Sequence, residues 1–478
     1  MTNTKQYAYV DTYGCQLNES DSEKLRGMLI EMGYEITYDE FEADVAIVNT
    51  CAIRQNAENR VLGNVGELVH IKVPRKKKII VFCGCLAGIP ETVEKIRESY
   101  EHVNLVFPPN EIHSLPEFLE RAKTERKRVF IEDSKEYKIV EDIPKHRDSK
   151  IKAWLPIMYG CDNFCSYCIV PYVRGRERSR DKVAILTEAK GLVEGGYKDI
   201  TLLGQNVNSW GLSNHRHSAL TTEFSETIRH CGLRAAIPST EDNNQGILHQ
   251  VQNDVTFPNL LKDINAIPGE FLIRFMTSHP KDASKELFQA MAESEKVARH
   301  IHLPFQSGSD RILKLMNRGY TRAEYLDKIA YARELMPELV ITSDVIIGYP
   351  GETEEDYNDT LELVEAAQFE AMFTFIYSKR PMTPAAKLDD TVSPEEKQKR
   401  FENLVTIQNE ISEKKHEAYI GKTIRVLVDG EAKGELYPLK ARTNGGRLVH
   451  LVGDPSIYGS FVDAKITHSN NWALFGEA

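Results

Sequence analysis

Three cysteines lie within one short loop, Gly160-Cys161-Asp162-Asn163-Phe164-Cys165-Ser166-Tyr167-Cys168. Their spacing is C-x3-C-x2-C, which gives three thiolates and no fourth. Zinc in a structural site closes with four tetrahedral ligands, so a zinc knuckle here would need a ligand from elsewhere in the chain. An iron–sulfur cluster held by three cysteines keeps one iron open to something else. An open iron beside a loop is a place for chemistry. Tyr167 sets an aromatic face next to the third cysteine. The run that follows holds Arg174, Arg176 and Arg178, basic groups that suit phosphate.

Eight cysteines are present in all: Cys15, Cys51, Cys83, Cys85, Cys161, Cys165, Cys168 and Cys231. Met1-Thr2-Asn3-Thr4-Lys5-Gln6 shows no basic-then-apolar secretory pattern. In a long chain of this kind, metal or redox chemistry is expected before disulfides. No apolar run reaches the roughly 18 residues that span a bilayer. The expectation is a soluble cytoplasmic protein with no membrane partner. The net charge of −11 argues against a generic nucleic-acid coat, though a focused basic site remains compatible with it.

The chain is long enough for two or three domains. From residue 6 to about 125, short apolar runs at 7–10, 45–48 and 79–82 alternate with helical stretches at 20–32, 56–71 and 91–100. That pattern predicts a small doubly wound parallel α/β domain over 1–125. Cys15, Cys51 and the pair Cys83 and Cys85 fall just past its strand ends, where such folds keep their ligand crevice. Two residues apart on an extended strand point the same way, so Cys83 is expected near that site, ranked below Cys85. Residues 126–152 read as a charged linker with a small edge element.

From 153 to 390, candidate strands at 154–158, 199–203, 271–276, 300–303, 340–347 and 371–377 predict an open (βα)6 partial barrel. Such barrels put chemistry at the C-terminal strand ends. The first end carries the cysteine loop. The others carry Gly204-Gln205-Asn206, Thr277-Ser278-His279-Pro280, Gln306-Ser307-Gly308, Gly348-Tyr349-Pro350-Gly351-Glu352 and Tyr377-Ser378, with Asp344 inside the fifth strand. Residues 212–256 break the pattern and read as an insertion, with Cys231 inside it and no ligand role expected of that thiol. Residues 391–418 read as a helical spacer. From 419 to 478, short strands with glycine turns predict a small β-barrel of the oligonucleotide-binding kind. Lys440, Arg442 and Arg447 flank its Thr443-Asn444-Gly445-Gly446 turn, a candidate phosphate contact. A second basic cluster, Lys72, Arg75, Lys76, Lys77 and Lys78, reads as a solvated turn before a strand.

These pieces together resemble the methylthiotransferase family of radical S-adenosylmethionine (SAM) enzymes. The resemblance runs over nearly the whole chain, as an N-terminal methylthiotransferase domain, a radical SAM core and a C-terminal TRAM domain. Its motifs are Tyr13-Gly14-Cys15-Gln16-Leu17-Asn18, Asn49-Thr50-Cys51-Ala52-Ile53-Arg54-Gln55-Asn56-Ala57-Glu58, Gly84-Cys85-Leu86-Ala87, Met158-Tyr159-Gly160-Cys161 and His302-Leu303-Pro304-Phe305-Gln306-Ser307-Gly308-Ser309. Within the family, Gln16-Leu17-Asn18 points to the branch acting on N6-(dimethylallyl)adenosine at position 37 of tRNA. Branches acting on threonylcarbamoyladenosine or on a ribosomal-protein aspartate are the alternative.

The resemblance implies two [4Fe–4S] clusters. Cys161, Cys165 and Cys168 match the ligands of the SAM-binding cluster, and Cys15, Cys51 and Cys85 those of an auxiliary cluster. SAM would be met by Tyr167, Gly204, Gln205, Asn206, Gln306, Ser307 and Asp344. The anticodon stem-loop of tRNA would be met by Arg174, Arg176, Arg178, Lys440, Arg442 and Arg447. No catalytic residue is implied beyond the clusters. The reaction further implies a one-electron donor such as flavodoxin or ferredoxin and a sulfur donor, and the enzyme is expected to be a monomer. One departure stands out: the family's Ser-Pro-Arg-Pro-Gly-Thr reads here Ser378-Lys379-Arg380-Pro381-Met382-Thr383.

Overall fold

The computed structural model describes residues 5–52, 55–70, 78–125, 127–212, 255–432 and 436–478, with the side chains at 55–57, 59 and 70 left aside. Nearly all of the expected insertion, Cys231 and the basic cluster except Lys78 lie outside the described residues. The chain divides into two compact units: Met1–Lys150 with Tyr159–Arg176 and Ser378–Leu388, and Ile151–Met158 with Glu177–Tyr377 and Asp389–Ala478.

The first unit is built on six parallel strands: β1 (Gln6–Thr12), β2 (Tyr34–Ile36), β3 (Val45–Thr50), β4 (Ile79–Gly84), β5 (Leu105–Phe107) and β6 (Val129–Phe130). Their order is β2-β1-β3-β4-β5-β6. Strands β3 and β4 are buried along their whole length, as unbroken apolar runs in a parallel sheet require. Ala46, Val48 and Phe82 pack on one face, and Val45, Ile47 and Val81 on the other. The chain runs outward from β1 to β2 and then returns to β3, so strand order switches between β1 and β3. Helix α1 (Gln16–Glu31) follows β1 and buries even Asp21, Glu23 and Lys24. The reason is the segment after β6. A Cβ on Gly27 would lie 2.2 Å from the Pro144 carbonyl oxygen, and Arg147 pairs with Glu23 at 3.3 Å. The stretch expected as a linker is therefore a strap packed across α1.

The second unit holds six further parallel strands, β7 (Lys152–Pro156), β8 (Asp199–Leu203), β9 (Leu272–Phe275), β10 (His300–His302), β11 (Val340–Ile347) and β12 (Ala371–Ile376). They pair as two three-stranded sheets, β9-β8-β7 and β10-β11-β12. All six expected strands are present. The ladder breaks between β9 and β10, yet Ile200, Phe275, Ile301, Val345 and Phe369 share one core. The helix Pro394–Glu417, expected as a spacer, lays Leu404 and Ile411 into that core. Its Arg400 reaches buried Glu352 at 2.8 Å, so the helix is a strut.

The last strands, β13 (Thr423–Glu431), β14 (Leu439–Thr443), β15 (Leu448–Val452), β16 (Phe461–Ser469) and β17 (Leu474–Glu477), close into a barrel in the order β13-β14-β15-β17-β16. Val426, Val449 and Ile466 fill it. Among the described residues no helix is long and apolar enough to cross a membrane.

Candidate functional site

Cys15 follows β1, Cys51 follows β3 and Cys85 follows β4, so three cysteines far apart in sequence meet at the carboxyl edge of adjacent strands beside the switch in strand order. Glycine makes the approach possible. A Cβ on Gly14 would sit 2.5 Å from the Cys51 Cβ. Gly84 has φ +88°, and a Cβ there would meet Asn49 Oδ1 at 2.4 Å and the Thr50 carbonyl oxygen at 2.5 Å. Polar groups wall the site. Asn18 Nδ2 donates to the Thr50 carbonyl (2.7 Å), and Cys15 Sγ donates to Asn18 Oδ1 (3.3 Å). Thr50 Oγ1 donates to the Cys83 carbonyl (2.6 Å) and accepts from Leu86 N (3.2 Å).

Arg174 completes this wall. Its Nε donates to Cys85 Sγ at 3.2 Å, and its Nη2 to Asn18 Oδ1 at 3.2 Å and Asp21 Oδ2 at 3.0 Å. Burial pushes the Cys85 thiol up, and the Arg174 guanidinium pulls against that shift. Cys83 behaves otherwise. The turn at Gly84 ends the extended strand, so Cys83 packs among Val81 and Phe107 while Cys85 packs beside Leu86 and Ala87. The two side chains therefore pack on different faces, yet the Cys83 thiol stays near enough to Asp21 and Cys85 to feel their charge, and burial above all holds it well above the usual range.

The second trio stands on its own loop in the same unit. Gly160 has φ +73°, and a Cβ there would lie 2.0 Å from the Arg176 carbonyl oxygen. Cys161 N donates to the Gly175 carbonyl (3.2 Å), and Cys168 N to the Cys165 carbonyl (2.9 Å). Phe164 adopts φ +46°, folding the loop back on itself. Cys165 is buried, whereas Cys161, Tyr167 and Cys168 are half-buried. The segment Ser378–Leu388 joins this loop through Ala385 N, which donates to the Ser166 carbonyl (2.9 Å). All six residues are thiols, the donor set that iron–sulfur clusters take. Among the described residues no three His, Cys, Asp or Glu side chains close round one point as a single metal ion requires. The fit of a cluster rests on the thiol sets, their burial and the donors beside them.

In the second unit, the residues named at strand ends divide into two kinds. Gln205 Oε1 is buried without a protein partner. Asn206 is committed: its Nδ2 donates to Asp282 Oδ2 (2.7 Å) and Ser209 Oγ (3.1 Å), and its Oδ1 accepts from His279 N (3.0 Å). That amide shapes the loop and has little left for a ligand. Gly204 packs so tightly that a Cβ would lie 2.4 Å from Met158 Cγ. Gln306 takes φ +67°, strained for a side-chain residue, and its N donates to the Asp344 carbonyl (2.9 Å). Ser307 Oγ accepts from Ser309 N (3.2 Å). Asp344 Oδ2 lies 3.4 Å from His302 Nε2. Sequence reasoning missed Asn208, a buried residue whose amide oxygen and nitrogen both lack a protein partner. No sequence signal set it apart from its neighbours.

The cations expected to meet phosphate also divide. Arg174 is buried in the cysteine wall described above, which corrects its assignment to the surface. Arg176 is exposed, pairs with Asp162 at 3.0 Å and covers the Phe164 ring. Arg178 is half-buried. Arg447 turns inward to the Tyr419 hydroxyl (2.9 Å) and Glu370 (3.5 Å). The turn it flanks is docked too: Arg274 donates to the Thr443 and Asn444 carbonyls (3.1 and 2.8 Å). A Cβ on Gly445 would strike Val340 Cγ2 at 2.3 Å. The turn expected to hold phosphate therefore anchors the small barrel. Arg442 pairs with Asp429 (3.2 Å), and Lys440 stays half-exposed on the outer face. On that face Phe475 gathers the rings of Tyr437, His450 and His468 at centroid distances of 5.2, 5.3 and 5.4 Å.

Comparison with known proteins places this geometry. Residues 7–108 match Uncharacterized protein family UPF0004, residues 155–364 the Radical SAM superfamily and residues 417–478 the TRAM domain. A tRNA-2-methylthio-N(6)-dimethylallyladenosine synthase of Clostridium novyi is 45% identical over 98% of this chain and 96% of its own. Proteins of the same name from Thermoanaerobacter sp. and Acetivibrio thermocellus are 44% and 42% identical, over 98% and 99% of this chain and 92% and 91% of theirs. Among solved structures, the radical S-adenosylmethionine methyltransferase TsrM of Kitasatospora setae, with tryptophan and a SAM analogue bound, superposes with a TM-score of 0.51 at 15% identity, covering 80% of this chain and 75% of that one. That likeness is one of fold.

Proposed function

Because this chain belongs to the family of tRNA-2-methylthio-N(6)-dimethylallyladenosine synthases, we propose that it carries the family's activity, placing a methylthio group on carbon 2 of N6-(dimethylallyl)adenosine at tRNA position 37, next to the anticodon. Carbon 2 of adenine is an unactivated aromatic C–H, beyond the reach of side-chain acids and bases. Two [4Fe–4S] clusters and SAM supply the one-electron chemistry when bound.

The chain's own residues do the holding. We assign Cys161, Cys165 and Cys168 to the cluster whose open iron takes SAM, and Cys15, Cys51 and Cys85 to the auxiliary cluster. Among the residues at the strand ends, Gln205 and Asn208 keep polar capacity for a ligand. Gln306 and Ser307 hold the strained backbone beside Asp344. The observation that carries this reading is the meeting of Cys15, Cys51 and Cys85 at one sheet edge. A zinc-stabilised binding module would need no second all-thiol trio. The reading includes a cytoplasmic location, a one-electron donor and a sulfur donor.

For tRNA, support falls on the outer face of the small barrel. Single-stranded loops offer bases that stack on aromatic rings, and Phe475 with Tyr437, His450 and His468 presents such rings beside Lys440. Phe475→Ala is expected to weaken tRNA binding by about 1–3 kcal/mol. Arg447→Ala should lower the melting temperature instead, because that guanidinium is an internal anchor. Nucleoside analysis of tRNA from a deletion strain tests the reaction itself. Loss of the 2-methylthio group on dimethylallyladenosine, restored by the wild-type chain, is the expected result. Loss confined to threonylcarbamoyladenosine would overturn the branch.

A further inference from the structure

Arg174 lies six residues beyond Cys168, on the same chain segment as the C-x3-C-x2-C loop, yet its guanidinium is spent on the other trio. Its side chain is only 5% exposed and that of Asp21 only 4%. A guanidinium stays charged at every accessible pH, and burial strengthens whatever it faces. It has a hydrogen bond to give to one ligand sulfur, Cys85 Sγ at 3.2 Å. It also binds Asn18, whose amide reaches Cys15 Sγ on one side and the carbonyl preceding Cys51 on the other.

We propose that Arg174 is the positioning residue of the auxiliary site, setting the reduction potential of the cluster held by Cys15, Cys51 and Cys85 through its charge and its hydrogen bond to Cys85 Sγ, with Asp21 as its counter-charge. Positive charge and hydrogen bonds at ligand sulfurs stabilise the reduced, more negative cluster and raise its potential. Asp21 opposes that effect. The two residues therefore act with opposite sign, which a merely structural pair would not do. This rests on the assignment of Cys15, Cys51 and Cys85 as ligands.

The test is a redox titration followed by electron paramagnetic resonance. The full chain is reconstituted with iron and sulfide and carries Cys161→Ala, Cys165→Ala and Cys168→Ala, so that only the auxiliary cluster reports. Arg174→Gln should shift its midpoint downward, Arg174→Lys should recover part of the shift, and Asp21→Asn should move it upward. An unchanged midpoint in iron-loaded Arg174→Gln, or shifts of the same sign in Arg174→Gln and Asp21→Asn, would overturn the inference. Should Arg174→Gln fail to take up iron, Asp21→Asn decides: an upward shift supports the proposal and no shift defeats it. Absence of iron from the parent triple variant would defeat the ligand assignment instead, a different failure.

Discussion

The two cysteine trios of the first unit are built by opposite routes. Cys161, Cys165 and Cys168 come from one loop whose spacing alone brings them together. Cys15, Cys51 and Cys85 come from the ends of three strands, and only the parallel order of β1, β3 and β4 makes them neighbours. The loop trio is half-open, with Cys161 and Cys168 half-buried and Cys165 buried. The strand-end trio is deeper, with Cys51 and Cys85 buried and a guanidinium donating to sulfur. On the proposed assignment, local spacing suffices where a ligand comes and goes, and topology is used where the sulfur chemistry is to be kept from water.

The sharpest way to break this comparison is to remove one trio at a time. Cys161→Ala is expected to abolish SAM cleavage, read by chromatography. Cys15→Ala is expected to spare cleavage and eliminate sulfur insertion. Each should lower iron from about eight to about four per chain. Equal cleavage in wild type and Cys161→Ala would show that the two trios do not divide the work.

Alkylation of the iron-free protein sharpens the contrast in depth. Burial raises the Cys85 thiol and raises Cys83 further, so less of each is thiolate at pH 8. Both should react with iodoacetamide at least about tenfold more slowly than half-exposed Cys161 and Cys168, read by mass spectrometry. Equal rates would mean that the strand-end site opens freely.

Glycine substitutions probe the two routes one step back. Gly84→Ala places a Cβ against Asn49 and the Thr50 backbone at a φ only glycine favours. It should cost about 3 kcal/mol of stability and cut iron at the strand-end trio. Gly160→Ala should do the same at the loop trio. Gly196 also has positive φ but nothing within 4 Å of its would-be Cβ, so Gly196→Ala should cost only about 1 kcal/mol. Denaturant melts with iron assays separate the three.

Much of this was legible before any fold was seen. Long apolar runs marked β3, β4, β8 and β11, and spacing marked the loop trio. The strand-end trio carries two Gly-Cys pairs, Gly14-Cys15 and Gly84-Cys85, and the loop trio one, Gly160-Cys161, a signal of close backbone approach that spacing alone does not read. Strands β2 and β5 escaped because three residues show no period, whereas β6 is the edge element expected within 126–152. The basic residues misled for a different reason. Charge is visible in sequence, but partner is not. Arg174 and Arg447 look like surface cations until Asp21 and Glu370 are placed beside them. A pattern reader sees a phosphate turn at Thr443–Gly446, while Arg274 has already taken its carbonyls.

The smallest effect expected comes from the segment Ser378–Leu388, which touches the loop trio through Ala385 and the Ser166 carbonyl. Its departure from the family pattern puts Met382 where glycine is usual, and Met382 takes φ +69°. A side-chain residue held in the left-handed region costs on the order of 1 kcal/mol. The turn is closed regardless by Thr383 Oγ1, which donates to the Arg380 carbonyl at 2.7 Å. Buried Arg380 is in turn drawn toward Glu58 at 3.7 Å. Met382 is 42% exposed, so little packing is lost with it. Met382→Gly should therefore stabilise the chain by up to about 1 kcal/mol, with iron content unchanged. A loss of stability would mean that the methionine packs in solution. A loss of iron would mean that this turn, and not spacing alone, keeps the loop trio in shape.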